Sequence, residues 1–127
     1  MKELSNIMMI EDDPDIQEAG RLALESIGEF SLTICSSGEA AINIVGEVKP
    51  QLILLDVQMP HMDGPTTLKE LKKFPEAAAI PIIFLTANVQ PHEVAAYKNM
   101  GVIEVISKPF NPTTLAETIL TIWKNQE

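Results

Sequence analysis

One cysteine, one tyrosine and one tryptophan occur among 127 residues. A lone Cys35 excludes an internal disulfide and fits a reducing cytosol. Cations are scarce as well: nine Lys and Arg against eighteen Asp and Glu leave a formal net charge of −9. A field of that sign repels phosphates, so direct nucleic-acid binding is not expected. No apolar run approaches the roughly 18 residues that span a bilayer, so no membrane partner is expected. The opening Met1-Lys2-Glu3-Leu4-Ser5 lacks the apolar stretch of a signal peptide, which points to a cytoplasmic location. Repeats, linkers and low-complexity tracts are absent, Ala77-Ala78-Ala79 being too short to count. What is present is 46% hydrophobic and 21% charged, the balance of a globular chain. The length is that of one domain, 1–127, and such a domain buries roughly two-thirds of its unfolded surface.

Apolar runs of strand length alternate with segments of helical period. Strands are expected at Asn6–Ile10, Ser31–Cys35, Leu52–Asp56, Ile82–Thr86 and 103–106. Leu52–Asp56 is continuously apolar up to its last residue, the mark of a strand covered on both faces. Helices are expected at 14–27, Gly38–Val48, 65–74, 91–100 and 112–125. Gly28 suits the end of the first helix, Ser36 or Ser37 the start of the second, and Pro65 the first turn of the third. Asp63-Gly64 marks a turn in the loop before it, and Gly101 stops the fourth. The pattern is (βα)₅, an α/β doubly wound five-stranded parallel sheet with helices on both faces. In such sheets the ligand site lies beyond the carboxyl ends of the strands.

Charge sits at those ends. The first run stops at Glu11-Asp12-Asp13, the third at Asp56, and the fifth leads into Lys108-Pro109. A charge on Asp56, after four apolar residues, costs several kcal/mol unless something offsets it. Lys108 and a divalent cation are the available partners; a structural ion pair is the plainer alternative. Carboxylate oxygens at Glu11 and Asp12 suit Mg²⁺, which takes one or two protein carboxylates and keeps several waters. Asp13, just before Pro14, reads as a helix cap.

Four motifs in order carry a resemblance over essentially the whole chain. They are Glu11-Asp12-Asp13, then Leu55-Asp56-Val57-Gln58-Met59-Pro60-His61-Met62-Asp63-Gly64, then Thr86-Ala87, then Lys108-Pro109-Phe110. Together they resemble the receiver domain of bacterial two-component response regulators. The resemblance implies a flavodoxin-like sheet of order 2-1-3-4-5. It implies that Asp56 accepts a phosphoryl group from a histidine kinase or phosphotransfer protein. Asp12 would bind Mg²⁺ (or Mn²⁺) directly and Glu11 through water, with Asp56 and the Gln58 backbone carbonyl completing the protein's share. Thr86 and Lys108 would contact the phosphoryl oxygens, and the Lys108-Pro109 bond would be cis. Gln58 and Asn88 would flank the path of hydrolytic water and tune the phosphate lifetime, unless they are plain exposed side chains. The output would be a change in the face made by the fourth helix, fifth strand and fifth helix, read by a downstream effector. Such a domain is a switch that modifies itself, not a turnover enzyme.

One departure stands out. The family's switch position, three residues before the site lysine, is usually aromatic and here is Val105. Tyr97, on the fourth helix, reads as a packing or partner-facing residue rather than a replacement. His61 and His92 read as exposed loop residues, Cys35 as small core, and Met8, Met9, Met59, Met62 and Met100 as packing or loop contacts. Trp123 fits either the core or a partner face. Two rivals remain. A haloacid-dehalogenase-type Mg²⁺-dependent phosphatase would need an aspartate where Gln58 stands, and a cap for which there is little room. A pseudo-receiver without phosphate chemistry would not need the complete acid, Thr86 and Lys108 set.

Overall fold

The five apolar runs form one parallel sheet in the computed structural model, which describes residues 2–126. The strands are β1 (Asn6–Ile10), β2 (Ser31–Cys35), β3 (Leu52–Asp56), β4 (Ile82–Thr86) and β5 (Glu104–Ser107), ordered β2-β1-β3-β4-β5. The fold is the doubly wound, flavodoxin-like α/β architecture expected. Residues 7–10, 52–55 and 82–85 are fully buried, as strands covered on both faces must be. Each such side chain contributes about 1.5–3 kcal/mol through burial.

Alternation along the strands divides the core in two. Met8, Ile10, Ile53, Leu55, Ile82 and Phe84 face one side. There they meet α2 (Gly38–Val48), α3 (Gly64–Lys72) and α4 (Pro91–Asn99). Ile7, Met9, Leu52, Leu54, Ile83 and Leu85 face the other, against α1 (Pro14–Gly20) with its continuation and α5 (Leu115–Lys124). Trp123 belongs to this second core, and its indole N–H donates to the Lys2 carbonyl at 3.0 Å. Cys35 is buried, and burial pushes its thiol pKa up. Met8, Met9 and Met59 are buried, whereas Met100 is exposed.

Local chemistry explains most boundaries. Asp13, Ser37 and Asp63 cap α1, α2 and α3, accepting from the amides of Asp15, Ala40 and Thr66. The choice between Ser36 and Ser37 thus falls to Ser37. Two expectations need correction, and one short element was not foreseen. The first helix does not stay α-helical to residue 27: from Arg21 to Ile27 it widens into a π-helix, and the Gly28 amide bonds five residues back to Ala23. Gly28 ends this helical stretch as expected, in right-handed backbone at φ −79°, and the left-handed residue is Glu29, at φ 60°. A single helical turn, Pro75–Ala78, follows α3, with the Ala77 and Ala78 amides on the Phe74 carbonyl. The last helix begins at Leu115 rather than 112, because the Asn111 side chain captures the Thr113 amide and hydroxyl in a turn first.

Lys49 ends α2 in the left-handed region, φ 51° and ψ 57°, with its amide on the Val45 carbonyl. That conformation costs a side-chain-bearing residue roughly 1–2 kcal/mol, partly offset by glycine's larger entropy loss on folding. Lys49→Gly is therefore expected to stabilise the fold by about 0.5–1 kcal/mol. An unchanged or lower midpoint in urea unfolding contradicts this.

Candidate functional site

Parallel register brings the strand ends to one edge. Ile10 lies beside Leu55, Asp56 beside Leu85, and Thr86 beside Ser107. The next residues continue the ladder: the Glu11 amide bonds to Cys35 O, that of Val57 to Leu85 O, and that of Lys108 to Thr86 O. Glu11 and Asp12 therefore leave β1 next to Asp56 on β3, across the point where strand order reverses. Thr86 and Lys108 arrive from β4 and from the end of β5.

The Lys108 ammonium donates to Asp56 Oδ1 at 2.9 Å and to Glu11 Oε1 at 3.3 Å. Asp56 Oδ1 also accepts from the Gln58 amide at 3.3 Å, and Glu11 Oε2 from the Asp13 amide at 3.1 Å. Glu11 and Asp56 are 0% and 1% exposed, so two buried carboxylates share one cation. Desolvation first, and then the contact with Asp56, raise the Glu11 pKa to about 7; the Asp13 amide and Lys108 oppose this. Burial works against the Lys108 charge, but its bond to Asp56 and the two carboxylates outweigh it and raise its pKa.

Asp56 Oδ2 is buried without a hydrogen-bond partner. An orphan of this kind costs free energy and calls for a ligand. Carboxylate oxygens of Glu11, Asp12 and Asp56 lie within 4.8 Å of one another. A hard, oxygen-only donor set with a spare buried carboxylate oxygen fits a divalent cation such as Mg²⁺.

The surrounding residues divide by position. Thr86 is buried, and its Oγ1 accepts from the Asn88 amide at 3.1 Å. Gln58 and Asn88 have exposed side chains. The Lys108-Pro109 peptide is cis. Val105 lies half-buried on β5, away from the acids and opposite Phe84 in the register. His61 and His92 are exposed and distant in role: His61 occupies a left-handed turn and His92 pairs with its neighbour Glu93. Tyr97, read as a packing or partner-facing residue, is buried and stands edge-on to Phe84 of β4.

Gly64 lets the loop after β3 close. Its amide donates to the Val57 carbonyl at 2.8 Å. A Cβ there would stand 2.7 Å from Asp56 O and 2.7 Å from Val57 Cα, both backbone atoms that no rotamer change can move away. Gly64→Ala is expected to cost about 1–3 kcal/mol and to weaken divalent-cation binding by shifting Asp56. Unchanged denaturant and cation titrations contradict this.

Comparison with known proteins agrees with this architecture. A sequence model of the response regulator receiver domain matches residues 7–120. The chain belongs to that family, the receiver domains of two-component systems. It is 35% identical over 114 residues to a probable transcriptional regulator, ycf29, of Porphyra purpurea, covering 90% of this chain and 54% of that protein. It is 32% identical over 123 residues to the aerobic respiration control sensor protein ArcB of Escherichia coli, covering 96% of this chain but 16% of that protein. The chain thus spans about half, or less, of the length of these relatives. A response regulator of Desulfuromonas acetoxidans superposes with a TM-score of 0.84 at 28% identity, covering 97% of this chain and 99% of that one. Receiver domains are in general signalling domains rather than turnover enzymes. No helix among the described residues is long and apolar enough to cross a membrane.

Proposed function

We propose that this domain is a phosphoacceptor switch of the cytoplasm, with Asp56 as the residue modified. The observation that carries the reading is the orphaned Asp56 Oδ2, a buried carboxylate oxygen with an ammonium 2.9 Å from its twin. An aspartate carboxylate can serve as the covalent nucleophile. In the reaction an Asp56 oxygen forms a bond to phosphorus as the donor's P–N bond breaks, and the histidine of the kinase or phosphotransfer protein leaves with the electron pair. Such transfer needs positioning and charge neutralisation more than acid–base chemistry. Lys108, already bonded to Asp56, neutralises the phosphoryl oxygens as they arrive. The Thr86 hydroxyl donates to another of them. Glu11, Asp12, Asp56 and the Gln58 carbonyl would hold Mg²⁺ (or Mn²⁺), which when bound supplies further positive charge to those oxygens.

Gln58 and Asn88, exposed beside the acceptor, set how readily water reaches the aspartyl phosphate. The change at Asp56 and Thr86 is passed to the α4-β5-α5 face, which an effector protein or attached effector domain reads. Gln58 also disfavours the phosphatase alternative, since it stands where the second aspartate would act as acid. The test is labelling with acetyl phosphate and Mg²⁺, followed by intact mass. One stoichiometric phosphoryl group is expected. Steady release of phosphate without a labelled protein would instead favour the phosphatase.

A further inference from the structure

A groove of about 290 Å³ lies between α3 and the end of α4, lined by Pro65, Leu68, Lys69, Lys72 and Met100. The four α3 residues stand at i, i+3, i+4 and i+7, so they form one stripe along the helix. Leu68 is buried and Pro65 half-buried, and these two give the stripe its apolar part. Met100 supplies the facing wall. It ends α4, with its amide on the Tyr97 carbonyl at 3.0 Å, and it is 47% exposed. Gly101 follows at φ 110°, with open space around it. An exposed thioether on a flexible stem adapts to whatever apolar group it meets. Small-molecule pockets measure roughly 300–1,000 Å³ and bring several polar groups to one point. This groove is at the lower limit, and its polar lining is two lysines on one helix. It suits an apolar side chain brought in by another polypeptide.

Charge decides what kind of polypeptide that is. Cations are scarce in this chain, yet Lys69, Lys72 and Lys73 crowd the end of α3. Lys73 is answered by Glu70 at 2.7 Å, and Lys98 on α4 by Glu104 at 3.0 Å. Lys69 and Lys72, the two on the groove, are in no ion pair among the described residues. Lys72 donates to the Ala78 carbonyl at 3.1 Å, and both side chains are exposed. The Asp63 carboxylate feels the Lys69 charge, but it is engaged by the Thr66 amide at 2.9 Å. At physiological salt a charge acts over about 8 Å, so these two ammonium groups outweigh the distant acids at the groove. Nucleic acid is a poor fit, because a long polyanion also meets the acidic surface beyond. We propose that the α3–α4 groove is a docking site for an acidic amphipathic segment of a partner protein. One apolar side chain enters between Leu68 and Met100, and carboxylates three or four residues away pair with Lys69 and Lys72. No lining residue belongs to the phosphoacceptor site, so the proposal stands apart from that reading.

Two acetylated helical peptides of about 16 residues test it. One carries leucines at i, i+3 and i+4 with glutamates beside them; the other has lysine at every glutamate position. Each is titrated into the full chain at about 0.15 M salt, and backbone amide shifts are followed. The acidic peptide is expected to bind with a Kd below about 100 μM and to shift amides over 65–72 and 98–101. The lysine peptide leaves those amides unshifted. Lys69→Glu is expected to weaken the acidic peptide by about tenfold or more, and the milder Lys69→Gln by about threefold. Met100→Ser, which removes the apolar wall, costs about fivefold. Lys124→Glu makes the same change of charge on α5, across the sheet, and alters binding by less than about twofold. Urea unfolding confirms that each variant is folded. Equal weakening by Lys124→Glu and Lys69→Glu overturns the proposal, because net charge alone would then explain binding. So does an acidic peptide that fails to bind or that shifts amides elsewhere. A concentration-dependent dimer that Met100→Ser dissolves would seat a second copy in the groove and overturn it as well.

Discussion

Asp56→Asn is expected to abolish labelling by acetyl phosphate, by at least about three orders of magnitude, while leaving the domain folded and more stable without metal. The first half follows from removing the only group placed to form the covalent bond. The second follows from the charge balance at the strand ends. Glu11 and Asp56 are both buried, and Lys108 alone opposes them. The amide keeps an oxygen for Lys108 and for the Gln58 N–H, and it removes one buried negative charge. It also relieves Glu11, whose pKa Asp56 helps to raise. A gain of about 1–2 kcal/mol in metal-free unfolding is expected, the usual sign when an overcrowded buried charge is neutralised. The gain shrinks when Mg²⁺ is added, because wild type then benefits more. Label persisting on the variant would remove Asp56 from its assigned role. A variant less stable than wild type would show that the charge balance is drawn wrongly.

A second large effect is expected from pH. The Glu11 pKa is raised from 4.5 to about 7 in the folded protein. Between those values the folded state holds a proton that the unfolded state releases. The stabilisation is therefore complete below about pH 4.5 and is lost as pH rises through about 7. The decline is of order 3 kcal/mol, at no more than about 1.4 kcal/mol per pH unit. Asp63 does not interfere, because its pKa is lowered by the Thr66 hydrogen bond and acts only in stronger acid. Mg²⁺ at pH 8 should restore most of the loss, since a cation among the carboxylates replaces the proton. Denaturant unfolding from pH 5 to 8, with and without Mg²⁺, measures both. Glu11→Gln should flatten the metal-free profile, and a slope equal to wild type in that variant would exclude Glu11 as the source.

The strands and acids were legible because their signals are local. Five apolar runs each end abruptly, and parallel order then forces Glu11, Asp56 and Lys108 to one edge. The cap at Asp13 was legible for the same reason, an acid just before proline at a helix start having few other uses, whereas Asp63 read only as a turn residue and proves to cap α3. The π-helical stretch from Arg21 to Ile27 was not legible, because its residues are ordinary helix formers with no proline or glycine to mark a change from i→i+4 to i→i+5 bonding. The left-handed position fell to Glu29 although Gly28 is adjacent, which residue propensity alone does not foretell. Tyr97 was only partly legible, for a different reason. A packing role could be read from the sequence, but the edge-on contact of its ring with Phe84 depends on how α4 packs across β4.

The bond between the Trp123 indole and the Lys2 carbonyl joins positions 121 apart in the chain. It places Lys2 and the last turns of α5 at one pole, since α5 runs back against the strands. The acidic edge occupies the opposite pole. Whatever polypeptide enters or leaves this domain does so through a single doorway, on the far side from the reacting carboxylate. The domain can therefore be set like a bead into a longer chain, or have its ends sewn together and be reopened at a loop elsewhere, without disturbing the chemistry.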